Sequence, residues 1–306
     1  MPFELIDCPV CNSKTFVKLF ASRDFRYNSC EQTFNIVKCE VCDFKFLSAR
    51  PSEKNIDIFY KKNFHNPGNT FTYGIIRPFF NLVQRDVIQR IKSYKKKGRI
   101  LDIGCGNGHI LSLLANHGYD VYGVEPSSEA VNYFPLSIKD RIFNKRIQEC
   151  GFEGNFFDFV LMFQSLEHIH NLNALFVEIK RIIKPDGYMW IQVPNDDFFE
   201  SRLFAQYYYN LEVPRHLYFF NRKSLCAVLR KEGFDNIKFV NNAFLELLCT
   251  PASFYFSIRY LLTGKDMPGK NLLIRLAYAP LVLLRFILRL LFIYDYQNLN
   301  VICMRA

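Results

Sequence analysis

Three groups of residues in this 306-residue chain carry side chains and spacings that could do chemistry. The first is Asp102, the run Gly104-Cys105-Gly106-Asn107-Gly108, and Glu125. Glycine has no Cβ, so a ligand can lie against such a turn, and the N–H groups opening a following helix favour negative or polar groups. An acid about 20 residues past a glycine loop is where a nucleoside ribose diol is gripped. The second group is Gln164, Glu167 and His168, with His216 further along. Carboxyl and imidazole groups are the types that remove a proton from a reacting hydroxyl. The third is Cys8, Cys11, Cys39 and Cys42, two C-x2-C pairs separated by 27 residues. Two such pairs can close a tetrahedral four-thiolate zinc site, structural because no coordination position is left open. Free buried thiols or a redox pair are the alternatives.

These groups need elements to hold them. Residues 100–103 are an apolar strand ahead of the glycines, and Ile110, Leu111, Leu113 and Leu114 follow as a helix. A second strand, 120–124, ends at Glu125. Residues 157–163 are apolar but for one acid, as a buried parallel strand reads, and lead into Gln164 through Ile169. Leu175, Val177, Ile179, Ile182 and Ile183 lie on a helix that Lys184-Pro185-Asp186-Gly187 should stop. A strand over 188–195, a helix over 224–233 and strands over 236–240 and 299–304 complete the pattern. Ligands of open α/β sheets bind beyond the carboxyl ends of the strands. Glu167, His168 and Asn195 each follow a strand end, and His216 lies on the loop before the 224–233 helix, so these are the polar groups expected around an acceptor.

The spacing D-x-G-x-G-x-G, with an acid ending the next strand, differs from the G-x-G-x-x-G of dinucleotide folds. It resembles the seven-strand class I S-adenosylmethionine (AdoMet) methyltransferases. F-D-x-V, L-E-H, K-P-D-G, V-P-N, H-L-x-x-F and E-G-F follow in that family's order, and the resemblance is close over residues 98–241. It implies an α/β fold: a Rossmann-like, seven-strand, mostly parallel sheet with helices on both faces. It implies that Asp102 and the Gly104, Cys105, Gly106 and Gly108 loop hold the methionine part of AdoMet. Glu125 would take the ribose hydroxyls, Gln148 and Glu149 the adenine side, and Gln164 would line the pocket. Cys105 reads as a small loop residue. His168 is the first choice for general base and His216 the second; a structural histidine bonded to a backbone carbonyl is the alternative for each. Some quinone-forming relatives hold a divalent ion with E-x-x-E-H; Gln164 stands in the first position here, which argues against a catalytic metal. The front module, with C-P-x-C, a distal C-x-x-C-x-F and then Arg50-Pro51-Ser52, resembles the zinc ribbon joined to methyltransferases of sugar and natural-product pathways.

Half of the residues are apolar and 16% aromatic, which excludes a disordered chain. The start lacks a secretory pattern, so the ten cysteines are expected in a reducing cytosol. The expected division is a zinc ribbon over 1–48, a connector and lead-in helix over 49–97, and a methyltransferase domain over 98–306. An apolar helical insertion interrupts that domain at 244–295. Arg275, Arg285 and Arg289 break the insertion's apolar run, and arginine near a helix centre opposes spanning a bilayer. Peripheral membrane contact through 251–295, or packing on the core or in a homodimer, are the readings that stand. The expected activity is O-methylation of a small or lipid-linked metabolite such as a sugar or polysaccharide precursor, in the cytoplasm at the inner membrane surface. The net charge of +10 keeps a zinc-ribbon RNA methyltransferase as an alternative, although the N/D-P-P-Y/F motif of many nucleic-acid enzymes is replaced by Gln164-Ser165-Leu166-Glu167. A non-catalytic binding protein on the same fold is the third reading.

Overall fold

The computed structural model describes residues 3–60, 84–241, 257–258, 260–261 and 296–305. The chain forms two compact units, one of Met1–Lys61, Pro194–Leu225 and Asn242–Asn298, the other of Lys62–Val193, Cys226–Asn241 and Leu299–Ala306.

The second unit is built on a seven-stranded sheet. Its strands are β6 (Arg99–Ile103), β7 (Asp120–Val124), β8 (Ile142–Phe143), β9 (Phe157–Phe163), β10 (Ile183–Pro194), β12 (Phe234–Phe239) and β13 (Asn298–Arg305). The order across the sheet is β12-β13-β10-β9-β6-β7-β8. β9, β6, β7, β8 and β10 pair in parallel, whereas β12 and β13 are antiparallel, so the sheet is mixed. β9 can be apolar throughout because residues from Phe159 to Met162 are buried whichever face they point to. Its one acid, Asp158, sits near the strand start, where its carboxylate accepts from the Arg99 N–H at 2.8 Å and from Lys184 Nζ at 2.7 Å.

Short helices support the strands. Residues 84–94 form α1, and His109–Asn116 form α2. Helix α3 (Leu172–Ile182) starts where the Asn171 side chain accepts the Ala174 N–H at 3.0 Å, which satisfies one of the helix's orphan donors. It buries Leu172, Leu175, Phe176, Ile179 and Ile182 along one stripe, each contributing roughly 1.5–3 kcal/mol. Lys184-Pro185-Asp186-Gly187 does more than stop this helix. The chain turns directly into β10 at Ile183, and these four residues form the irregular start of that strand. Between β7 and β8 the chain makes two 3-10 helices, Ala130–Tyr133 and Leu136–Arg141, on either side of a Phe134-Pro135 break. Pro135 has no N–H to continue a helical ladder. Beside β7, Tyr122, Phe152 and Phe157 meet edge to face at 4.9–6.1 Å between centroids and supply apolar cover there.

The first unit joins segments far apart in sequence. β1 (Phe3–Leu5) pairs with β5 (Ala49–Pro51). A second sheet runs β11-β4-β3-β2, from β2 (Phe16–Arg23), β3 (Thr33–Cys39), β4 (Lys45–Leu47) and β11 (Tyr218–Phe219). Thus the sheet that carries the second cysteine pair takes a strand from residues 218–219, in register Tyr218↔Phe46. Phe34, Ile36, Leu47, Phe59, Phe198, Tyr208, Val213 and Phe219 share one buried cluster. Helix α4 spans Phe199–Phe204 and α5 spans Arg222–Lys231. Most of the apolar insertion lies outside the described residues. Among the described residues no helix is long and apolar enough to cross a membrane.

Candidate functional site

Parallel pairing puts the carboxyl ends of β7, β6 and β9 side by side: Asp102 stands opposite Gly123 of β7 and Leu161 of β9. Asp102 is only 4% exposed, and its Oδ1 meets no hydrogen-bond partner among the described residues. Burial, followed by the nearby Glu125 charge, pushes its carboxyl up to about 7. Glu125 extends past β7. Its Oε1 accepts the Ser127 N–H at 2.9 Å, its Oε2 accepts the Gly106 N–H at 3.0 Å, and Asn144 Nδ2 donates to its carbonyl at 2.8 Å. Two carboxyl groups therefore flank the glycine loop, one held by amides and one buried without a partner.

The loop itself folds inward. The N–H groups of Gly104 and Cys105 both donate to Val124 O, at 2.8 and 3.2 Å, and the Gly108 N–H donates to Cys105 O at 2.9 Å. The Asn107 side chain takes the His109 N–H at 3.1 Å, capping α2. These amides bond groups of the protein itself. The glycines serve close approach. Gly104 has φ +77°, and a Cβ there would lie 2.6 Å from the Ser165 Cβ. On β7, a Cβ at Gly123 would meet Leu111 Cδ1 at 2.6 Å and Cys105 Sγ at 2.8 Å. Cys105 is thus packed beneath the loop, and burial, then Asp102 and Glu125, raise its thiol far above the usual range, which excludes a thiolate role.

Beyond β9 the backbone of Gln164 takes a positive φ of 53°, uncommon for a residue with a Cβ. Gln164 is exposed, and its N–H donates to Gln192 O at 2.8 Å. The next residues, Leu166–His168, form one 3-10 turn. Glu167 is fully buried, and burial pushes its carboxyl up to about 8, so it carries its proton at neutral pH. His168 is half-buried, with its backbone N–H on Ser165 O at 3.1 Å. Gln148 is exposed on the 3-10 turn Ile147–Glu149 after β8.

The other unit holds His216, Asn195 and the cysteines. His216 is buried, and its Nδ1 lies 2.9 Å from the Asn210 carbonyl, a bond in which only the imidazole N–H can donate. Asn195, expected beside an acceptor, is spent on structure: its Nδ2 donates to Tyr296 O, its N–H to Gln297 O, and its Oδ1 accepts from the Asp197 N–H. The four cysteines converge. Cys8 and Cys42 Sγ are 3.5 Å apart, as are Cys11 and Cys39 Sγ, and all four sulfurs fall within 4.8 Å of one another. The two pairs turn alike. The residue after each second cysteine, Asn12 or Asp43, has positive φ, and its N–H bonds the carbonyl of the first cysteine, at 2.8 and 3.1 Å. Four converging thiols on two matched turns fit a tetrahedral metal site.

A family model described as a methyltransferase domain matches residues 79–238, more than half of the chain. The chain belongs to this methyltransferase family. An uncharacterized methyltransferase of Schizosaccharomyces pombe is 34% identical over 113 residues, 32% of this chain and 41% of that protein. A ubiquinone biosynthesis O-methyltransferase of Coxiella burnetii is 27% identical over 174 residues, 53% of this chain and 74% of that protein. This methyltransferase chain therefore spans less than half the length of the first relative. Among solved structures, a Streptomyces coelicolor geranyl diphosphate C-methyltransferase, in complex with Mg2+, geranyl diphosphate and S-adenosyl-L-homocysteine, superposes with a TM-score of 0.50. It is 12% identical, over 79% of this chain and 86% of that one. The family is that of the methyltransferase-domain model, and the fold is shared with this solved C-methyltransferase.

The sequence missed Ser165, Ser127, Asn144 and Asn107 at this site. A small residue two positions past an apolar strand was the available signal for Ser165; the other three act through hydrogen bonds that no spacing announces.

Proposed function

We propose that this chain is an AdoMet-dependent methyltransferase acting on a hydroxyl of a small or lipid-linked metabolite, a sugar or polysaccharide precursor in the first instance. The observation that carries the reading is the acid pair, Asp102 and Glu125, on either side of an inward-folded glycine loop at the ends of β6 and β7. Acids rather than free amides suit a cationic donor with an amino-acid end and a ribose, and do not suit a pyrophosphate. When bound, AdoMet supplies an electrophilic methyl on a sulfonium. Asp102 and the loop would hold its methionine part, Glu125 the ribose hydroxyls, and Gln164 and Gln148 the pocket wall and adenine side. An oxygen acceptor is supported by the name of the Coxiella relative. His168, which follows β9 in the same unit, would take the proton that the acceptor hydroxyl gives up on methylation. Glu167, protonated at neutral pH, would serve as a donor and not as the base. His216 is kept as the second candidate base, with its Nδ1 committed to the Asn210 carbonyl.

The four cysteines would hold a structural Zn2+ in this reading. Peripheral membrane contact through 251–295 rests on the sequence alone, as does homodimerisation.

The test is transfer of labelled methyl from AdoMet by zinc-loaded protein into a host-cell extract, split into lipid, small polar, polysaccharide and RNA fractions. Label in any of the first three supports the metabolite reading. Label in RNA alone replaces it with an RNA methyltransferase, and no label in any fraction leaves a binding protein on this fold.

A further inference from the structure

The inward-folded loop commits most of its amides within the protein. The N–H groups of Gly104, Cys105, Gly106, Gly108 and His109 are each bonded inside the protein. The two acids at the site offer oxygens, which suit the ammonium and sulfonium of AdoMet and repel its carboxylate. A carboxylate in such a place needs an O–H or N–H from elsewhere.

We propose that Ser165 is a cofactor-binding residue whose hydroxyl donates to the methionine carboxylate of AdoMet. The inference rests on the cofactor reading above. Ser165 is the second residue past β9, and its side chain fills the space beside Gly104, where an added Cβ would lie only 2.6 Å from the Ser165 Cβ. It is 6% exposed, and its Oγ meets no hydrogen-bond partner among the described residues. A buried hydroxyl without a partner costs free energy, and an acceptor on a ligand offsets that cost. Asp102 Oδ1 is buried and without a partner in the same way. The two lone groups divide the work chemically: Asp102 accepts from the cationic part, and the serine, whose hydroxyl hydrogen rotates freely to suit, donates to the anionic part. The Gln164 backbone supports this placement. Its left-handed turn redirects the chain at the end of β9, immediately ahead of Ser165.

Titration calorimetry with AdoMet and with decarboxylated AdoMet tests the proposal without any acceptor. Ser165→Ala should weaken AdoMet about tenfold, as expected for loss of one charge-assisted hydrogen bond. The same variant should bind decarboxylated AdoMet as the parent does, because that ligand has no carboxylate to lose. Ser165→Cys, close in volume with a weak donor, should follow the alanine variant and guards against a packing defect. Equal losses on both ligands, or no loss on either, would overturn the role of the hydroxyl. Asp102→Asn should weaken both ligands; if it binds both as tightly as the parent, the cofactor site itself is misplaced.

Discussion

The Glu125 carboxylate accepts the Gly106 N–H at 3.0 Å, so the acid at the end of β7 props open the loop at the end of β6. The same carboxylate is the group proposed to take the ribose hydroxyls. One side chain thus shapes the loop and would contact the ligand; the Ser127 N–H fixes where its carboxylate points, and Asn144 holds its backbone carbonyl.

Replacing Glu125 should therefore hurt twice. Each hydrogen bond to a charged group is worth about 1.5–3 kcal/mol. Glu125→Ala should weaken AdoMet by about a hundredfold or more, and Glu125→Gln, which keeps one acceptor oxygen, by about tenfold. Hydrogen exchange should also speed up at the Gly106 amide in the alanine variant. Calorimetry showing parent-like affinity in the alanine variant would remove Glu125 from the site.

Asp102 links cofactor binding to pH. Its carboxyl, raised from 3.8 to about 7 by burial and then by Glu125, stays protonated in the free protein through mildly acid pH. The raised value means the free fold binds a proton that the unfolded chain gives up. The free protein should lose stability as pH rises from about 4 to about 7, and no further above that. A bound cation favours the carboxylate, so binding should expel that proton. AdoMet affinity should accordingly rise between about pH 5.5 and about 7.5. Calorimetry in buffers of different ionisation enthalpy should detect proton release near about pH 6.5, absent in Asp102→Asn. A flat pH dependence would contradict the linkage.

The strand-end positions of the candidate site were legible where chemistry and periodicity coincide. Asp102, the glycines and Glu125 sit at the ends of apolar strands, and buried parallel strands must be apolar on both faces, so residues 100–103 and 157–163 were readable directly. Hydrogen-bond direction was not legible. Nothing in G-x-G-x-G says that its amides turn toward Val124 and Glu125. Long-range pairing of very short strands was also hidden. β11 has two residues, too few for a period, yet it extends the sheet of β3 and β4. At Lys184–Gly187 a local stop signal stood in the right place with the wrong outcome, because tertiary pairing with β9 makes a strand of the residues that end the helix.

The cysteine cluster predicts a metal requirement. Purified protein should carry one zinc per chain, and a strong chelator should lower its thermal midpoint by several degrees, since closed four-thiolate sites contribute folding free energy directly. Cys39→Ser should reproduce that loss and cobalt substitution should give thiolate charge-transfer absorption. Metal-free protein that melts at the same temperature as the zinc-loaded form would show that the thiols need no ion.

The last prediction concerns the Arg215–Asp24 pair, which ties the hairpin between β2 and β3 to the segment bearing His216. Both side chains are fully buried. Arg215 donates from Nη1 to Asp24 Oδ2 at 2.9 Å and to the Phe59 carbonyl at 3.0 Å, and from Nη2 to Asp24 Oδ1 at 3.0 Å. Its guanidinium stacks on Tyr27, with 4.4 Å to the ring centroid. Burial works against the Asp24 carboxylate, but the hydrogen bonds and charge of Arg215 outweigh it and hold the group below its usual range. Removing one partner leaves a buried charge exposed to nothing that can solvate it. Arg215→Met should cost about 3–5 kcal/mol in urea unfolding. Arg215→Lys should cost less but not nothing, because an ammonium cannot fork across both carboxylate oxygens. Asp24→Asn with Arg215→Met should recover part of the single-variant loss, since no unpaired charge then remains. Strictly additive costs in that cycle would mean that the two side chains stabilise the unit independently and not as a pair.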